Sequence, residues 1–244
     1  MAAIEAIDLH KSYGRVRALS GLALRVEAGE IYGLLGPNGA GKATALKILV
    51  GLLRPDRGCA RILGIDVVER RHEALEYVGY VPEHPVAFQN LTVREFVEFV
   101  GKLRGLPMDE VREACERYLA LFRLDEKADT LISDLSRGML QKVLATAAFV
   151  VKPRVLVLDE PMAGMDPEAQ HTFKVEVRRM AFEGVAVLMS SHILDVVERF
   201  CTRVGIISGG RLLVEGTLDE VKRKAESGEE ATLEDVFLKL VGGG

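Results

Sequence analysis

The chain has no tryptophan and only three cysteines among its 244 residues. Cys59, Cys115 and Cys201 are odd in number and stand far apart, in no metal-ligand spacing, which argues against a disulfide framework and for reduced thiols in the cytoplasm. Long apolar runs are missing as well. The longest uncharged apolar stretch, Leu144 to Val151, is far too short to span a bilayer, and Glu5 and Asp8 stand where a secretory leader would be apolar. The expectation is a soluble chain without an export signal. Nor is there an excess of basic residues: 32 Lys and Arg face 36 Asp and Glu, a net charge of −4 that offers no broad positive field to nucleic acid. There is no internal repeat and no low-complexity tract. What is present, 48% hydrophobic and 28% charged residues, is enough for a proper core, in one large domain or one domain with an inserted lobe.

Short β-rich runs alternate with helical patterns. The segments 31–36, 77–82, 154–159, 185–191 and 203–208 are nearly continuous apolar runs ended by polar or turn residues, as expected of parallel strands covered on both faces. After the first run, Leu46, Leu49 and Leu53 recur at helical spacing, giving strand, glycine loop, helix. The preceding stretches, 4–14 and 20–30, suggest hairpin-like edge strands, so an antiparallel edge beside the parallel core is expected. Between about 92 and 151 the strand signal disappears. Thr92 and Glu95 form a capping-box pattern, and Val111, Cys115, Tyr118 and Phe122 share one helical stripe, which predicts a helical lobe inserted in the core. The start signal recurs at Thr217 with Glu220 and at Thr232 with Asp235, predicting two short terminal helices.

Two features carry chemistry. Gly36, Pro37, Asn38, Gly39, Ala40, Gly41 and Lys42 make a glycine, four variable places and Gly-Lys, followed by Ala43 and Thr44. Such a loop wraps phosphate with backbone N–H groups, the helix beginning there adds its positive end, and Lys42 supplies a point charge for the β and γ phosphates. Asp159 ends a buried strand as a direct or water-mediated Mg²⁺ partner, and Glu160 is placed to polarise an attacking water. Each feature alone has a plain alternative, a chance glycine turn or two solvated carboxylates; together they favour a nucleotide site.

With these residues in view the chain resembles a known family. GPNGAGK at 36–42, LSRGM at 135–139, VLVLDEP at 155–161, GMDP at 164–167 and SSH at 190–192, in this order, are similar to the nucleotide-binding subunit of ATP-binding cassette (ABC) transporters over nearly the whole chain. The ending ATLEDVFLKLVG, 231–242, resembles ATPase subunits of exporter-type systems whose membrane protein is a separate chain. The resemblance implies an α/β P-loop NTPase core, a mainly parallel sheet with an antiparallel β edge, and an inserted α-helical subdomain. The ATP-binding domain would span 1–216, with the lobe at about 90–150, and a helical tail would occupy 217–244. It also implies ATP and Mg²⁺ as cofactors, an integral membrane permease and a second ABC ATPase subunit as partners, no nucleic acid, and a place in the cytoplasm on the inner face of the cell membrane.

Roles follow residue by residue from the same resemblance. Tyr13 would stack on adenine, Ser136 and Gly138 would meet the γ-phosphate held by the other subunit, His192 would reach the γ-phosphate, and Glu83 would report on phosphate and metal. Asp166 before Pro167 suits a helix N-cap. The remaining histidines, 10, 72, 84 and 171, are expected in solvent. Phe88, Leu91, Phe96 and Phe99 suggest either a docking groove for a permease helix or ordinary lobe core. Three places depart from the family pattern: Arg137 and Met139 in the signature, Glu83 where glutamine is common, and Ala43 where the loop normally carries a hydroxyl. A methyl group supplies no metal ligand, so Mg²⁺ is expected to be held less rigidly and hydrolysis to suffer more than binding. The alternative is a hydrolysis-poor, ATP-gated dimerisation module, or one degenerate half of a heterodimer.

Overall fold

The computed structural model describes residues 2–225 and 231–241. The chain opens with two long strands, β1 (Ile4–Tyr13) and β2 (Val16–Val26), then β3 (Ile31–Leu35) and helix α1 (Lys42–Leu49). β4 (Arg57–Ile62), β5 (Ile65–Asp66), α2 (Arg71–Leu75) and β6 (Val78–Val81) lead into helices α3 (Val93–Leu103), α4 (Met108–Leu121) and α5 (Arg137–Val150). The chain then returns through β7 (Val155–Asp159), α6 (Pro167–Phe182), β8 (Ala186–Ser191), α7 (Leu194–Phe200), β9 (Arg203–Ser208), β10 (Arg211–Gly216), α8 (Leu218–Lys224) and α9 (Leu233–Val241).

Among the described residues there are two sheets. The larger runs β10-β9-β3-β8-β7-β6, parallel except for β10, which turns back antiparallel on β9. Its five parallel strands are the apolar runs predicted from sequence. β1 and β2 provide the expected antiparallel region as a sheet of their own, in the order β2-β1-β4-β5. The separation has a local cause. Strands covered on both faces must be apolar throughout, as Ile31–Leu35 is, whereas β1 and β2 alternate buried with half-exposed residues and keep one face in water.

Period-two geometry then sorts the core into two halves. Tyr32, Leu34, Val155, Val157, Ala186 and Leu188 face α1 and the antiparallel sheet. Their neighbours Ile31, Leu35, Leu156, Leu158, Val187 and Met189 face the helices of the opposite layer. α3 starts with the expected capping box, the Thr92 hydroxyl accepting from the Glu95 N–H at 3.2 Å and the Glu95 carboxylate accepting from the Thr92 N–H at 2.9 Å. α4 buries Val111, Cys115 and Tyr118, and the ring of Tyr118 lies 5.5 Å from Phe149, itself 5.7 Å from Phe173 on α6. After Gly216, Thr217 and Glu220 form a second capping box, while Val221, Leu233 and Val236 are buried in the core.

The aromatic groove divides. Phe96 is buried in the hydrophobic core that joins these helices to the sheet and Leu91 packs against that core, while Phe88 and Phe99 remain exposed, edge to face at 5.4 Å. His72, His84 and His171 are exposed as expected; His10 is not fully solvated, since its Nε2 lies 2.9 Å from Asp8 Oδ1. The reason is a bulge in β1 that carries Asp8 at φ 48° and turns its carboxylate toward the His10 ring. No helix among the described residues is long and apolar enough to cross a membrane.

Candidate functional site

β3, β8, β7 and β6 are neighbours and parallel, so their carboxyl ends lie along one edge of the sheet, where α/β folds build ligand clefts. β3 delivers the loop 36–41, β7 delivers Asp159 and Glu160, β8 delivers Ser190 to His192, and β6 delivers Pro82 and Glu83. They converge on a cleft of about 470 Å³ lined by the loop from Pro37 to Thr44 with Tyr13, Val16, Ala18, Glu83, Asp159, Glu160 and His192.

The loop is held open by its own backbone. Gly41 is the N-cap of α1 at φ 110°, a conformation that L side chains avoid, and a Cβ there would meet the Ala18 carbonyl at 2.5 Å. Gly36 and Gly39 lie in the same turn. Lys42 is buried and folds back across the loop, its Nζ donating to the Gly36 carbonyl at 2.5 Å and the Pro37 carbonyl at 3.2 Å. Burial lowers its pKa, and the carboxylates of Glu160, Asp159 and Glu83 act against that shift. Ala43 and Thr44 follow in the first turn of α1 and both line the cleft, so a methyl group stands where the pattern calls for a hydroxyl.

Asp159 is buried at the end of β7. In the β7–β8 ladder it stands opposite Ser190, whose hydroxyl donates to its Oδ1 at 2.6 Å. Burial raises the Asp159 pKa, partly offset by that hydrogen bond. Glu160 breaks the strand at φ 46°, a left-handed conformation that costs a non-glycine residue about 1–3 kcal/mol and concentrates at working sites. Its N–H donates to the Ser190 hydroxyl at 3.2 Å, and its Oε1 receives the His192 Nδ1 at 2.8 Å. A carboxylate only accepts, so Nδ1 carries the proton and Nε2 is left open. The Ser191 hydroxyl is 3.5 Å from the second oxygen.

The two serines that contact these carboxylates are residues that sequence reasoning quoted but gave no role. Their signal was present: two hydroxyls closing an apolar strand next in the chain to a histidine. Val16 and Ala18 were missed altogether, because residues that only form the wall of a cleft carry no sequence pattern. Ser136 and Gly138 are not in the cleft. Ser136 caps α5, its hydroxyl accepting from the Met139 N–H at 3.3 Å, and Gly138 packs against Gly164, where an added Cβ would lie 2.2 Å from the carbonyl oxygen. Asp166 caps α6 as expected, accepting from the Ala169 N–H at 2.8 Å.

Among the described residues no group of three His, Cys, Asp or Glu side chains could by itself hold a metal ion. The cleft nonetheless fits Mg²⁺ brought with a nucleotide: Glu83 and Asp159 offer oxygen alone, and Mg²⁺ at phosphate sites characteristically takes one or two carboxylates and completes its shell with phosphate and water.

Residues 19–163, well over half of the chain, match the family model described as ABC transporter. The chain belongs to the ABC transporter family. This ABC chain is 38% identical over 215 residues to Nod factor export ATP-binding protein I of Paraburkholderia xenovorans, covering 88% of this chain and 71% of that protein. It is 34% identical over 240 residues to the probable multidrug ABC transporter ATP-binding protein YbhF of Escherichia coli, covering 98% of this chain and 41% of YbhF. Among solved structures, an ATP-binding subunit of an ABC transporter superposes with a TM-score of 0.93 at 32% identity, covering 98% and 99% of the two chains. A bacterial ABC cassette solved as a dimer shares the fold, with a TM-score of 0.81 at 24% identity over 88% and 98% of the chains. The protein is thus an ATP-binding, ATP-hydrolysing ABC subunit, of the kind that works with membrane permeases.

Proposed function

We propose that this cassette pairs head to tail with a second ABC ATPase subunit, closes on two ATP molecules, and so drives a separate integral membrane permease that exports its substrate. The incompleteness of the cleft is the observation that carries this reading. One chain gathers the phosphate loop, Tyr13, Asp159, Glu160 and His192, yet leaves the Ser136 helix end outside, so a second chain has to bring a Ser136 and a Gly138 to the phosphates. The printed names of two relatives, export and multidrug, support export. The domain division is 1–216 with the lobe at about 90–150, then a tail from 217; its residues 226–230 and 242–244 lie outside the described ones. The subunit works on the cytoplasmic face of the membrane, with exposed Phe88 and Phe99 turned to the permease.

Within the site, Tyr13 stacks on adenine, the N–H groups of 37–44 wrap the phosphates, and Lys42 exchanges its loop carbonyls for β- and γ-phosphate oxygens. Asp159 and Glu83 would hold Mg²⁺, which when bound would neutralise phosphate charge. Glu160 takes up the proton side of the attacking water, and His192, bonded through Nδ1, holds Glu160 in place and offers Nε2 to the γ-phosphate. Ala43 removes one oriented oxygen. A water would take that place less rigidly, at a cost of about 1.4–2.7 kcal/mol, or about tenfold to a hundredfold in rate.

The test is Mg²⁺-dependent ATP turnover of the chain beside its Ala43→Ser variant, with ATP affinity measured in both. Serine is expected to raise kcat at least about tenfold while Kd moves less than about threefold. Equal turnover refutes the role given to Ala43. The second reading, a hydrolysis-poor module or degenerate half, is favoured if the Ala43 chain binds ATP and dimerises without turnover. Failure of Glu160→Gln to double in mass on adding ATP refutes the pairing.

A further inference from the structure

One run of residues at the start of α5 touches both segments that bring carboxylates to the cleft. Gly138 lies against the Gly164 carbonyl, and the Lys142 ammonium lies 2.8 Å from Asp166, so both grip the segment that leaves Glu160. Gln141 points the other way. Its side chain is wholly buried, and its Nε2 donates at 3.2 Å to the carbonyl of Pro82, the residue before Glu83. The orientation of the amide is dictated by its partner, because a proline carbonyl only accepts. Oε1 consequently faces inward and has no hydrogen-bond partner among the described residues. A buried amide with an unmade acceptor is a poor way to stabilise a helix, and an apolar side chain of the same shape would do better. The residue fits a different task, holding a loop.

We propose that Gln141 is a positioning residue for ATP hydrolysis: it ties the segment bearing Glu83 to the helix that begins at Ser136. On the reading above, Ser136 meets the nucleotide of the other cassette and Glu83 meets the nucleotide of its own, so this inference rests on that reading. Gln141 makes the two move as one body. A displacement of the Ser136 helix end on dimer closure then shifts Glu83 directly, without passing through the sheet.

The experiment uses Gln141→Met, which keeps the volume and removes both polar ends. If Gln141 only fills space, the variant has an unchanged or higher Tm and unchanged kinetics. The proposal expects a Tm no lower, an ATP Kd within about twofold, and kcat down at least about tenfold. In a Glu83→Ala background the same change is expected to cost less than about threefold more, because the group being positioned is gone. Backbone hydrogen exchange of 83–88 in the nucleotide-free chain should quicken at least about tenfold, with α5 unaffected. Unchanged kcat, unchanged exchange, or fully additive losses in the double variant each overturn the proposal. Failure of the pairing itself is seen separately, as no ATP-induced dimer in the parent chain. Exchange requires neither nucleotide nor partner, and still decides the Gln141 link in that case.

Discussion

Gly138→Ala sets two forces against each other at the second residue of α5. Helix propensity favours alanine over glycine by about 0.5–1 kcal/mol. Packing opposes it. The new Cβ would stand 2.2 Å from the Gly164 carbonyl oxygen, 3.1 Å from its carbon and 3.7 Å from the Met165 Cα, and these are backbone atoms that cannot rotate away. The contact has to open by about 1 Å to reach van der Waals distance, an overpacking that costs about 1–3 kcal/mol. Packing wins, with a net loss of about 1–2 kcal/mol. For a domain of this size each kcal/mol moves Tm by about 2–4 °C, so a decrease of about 2–8 °C is expected. Because the displaced element is the helix end bearing Ser136, turnover should fall further than stability alone explains. The assay is a thermal melt beside ATP turnover at a temperature where both forms are folded. A variant that melts at or above the parent would refute the reasoning, since propensity would then have prevailed and the close approach of 138 to 164 would carry no cost.

Two further expectations follow from buried titratable groups. Burial holds the Asp159 pKa above its unfolded value near 3.8, so the folded chain keeps that proton more tightly and stability falls as pH rises between the two values. The penalty is complete above the folded-state pKa and absent below the unfolded one. Asp159→Asn should therefore raise Tm at pH 7 while reducing turnover, and the gain should vanish in acid; an equal gain at both pH values counts against the account. Burial also pushes the Cys115 thiol up to about 11 and Cys201 up to about 12, leaving about 0.1% thiolate or less at pH 8. Iodoacetamide is expected to label half-buried Cys59 alone in the native chain, with the other two reacting only after denaturation; three fast thiols by mass spectrometry would contradict this.

How much of this was legible beforehand depends on the distance along the chain over which each signal acts. Sequence by itself determined the strand, loop and helix at 31–49, the parallel strands, and the helix starts at Thr92, Asp166 and Thr217. All of these rest on contacts within three or four residues or on strict periodicity, and the caps formed as their spacing required. β4, β5 and β10 were not legible, because short half-exposed strands carry little periodicity and take their place from partners already laid down.

Tertiary structure alone decided the rest. Sheet register set Asp159 opposite Ser190, 31 residues away, and made a hydroxyl into the holder of a carboxylate. Packing of α5 put Gln141 on the Pro82 carbonyl, 59 residues away, and kept Ser136 out of the cleft that its own chain forms. Local rules choose the conformation of a few neighbouring residues. Which hydroxyl meets which carboxylate depends on strand order and on which face of a helix is buried, and those are properties of the whole core packed at once.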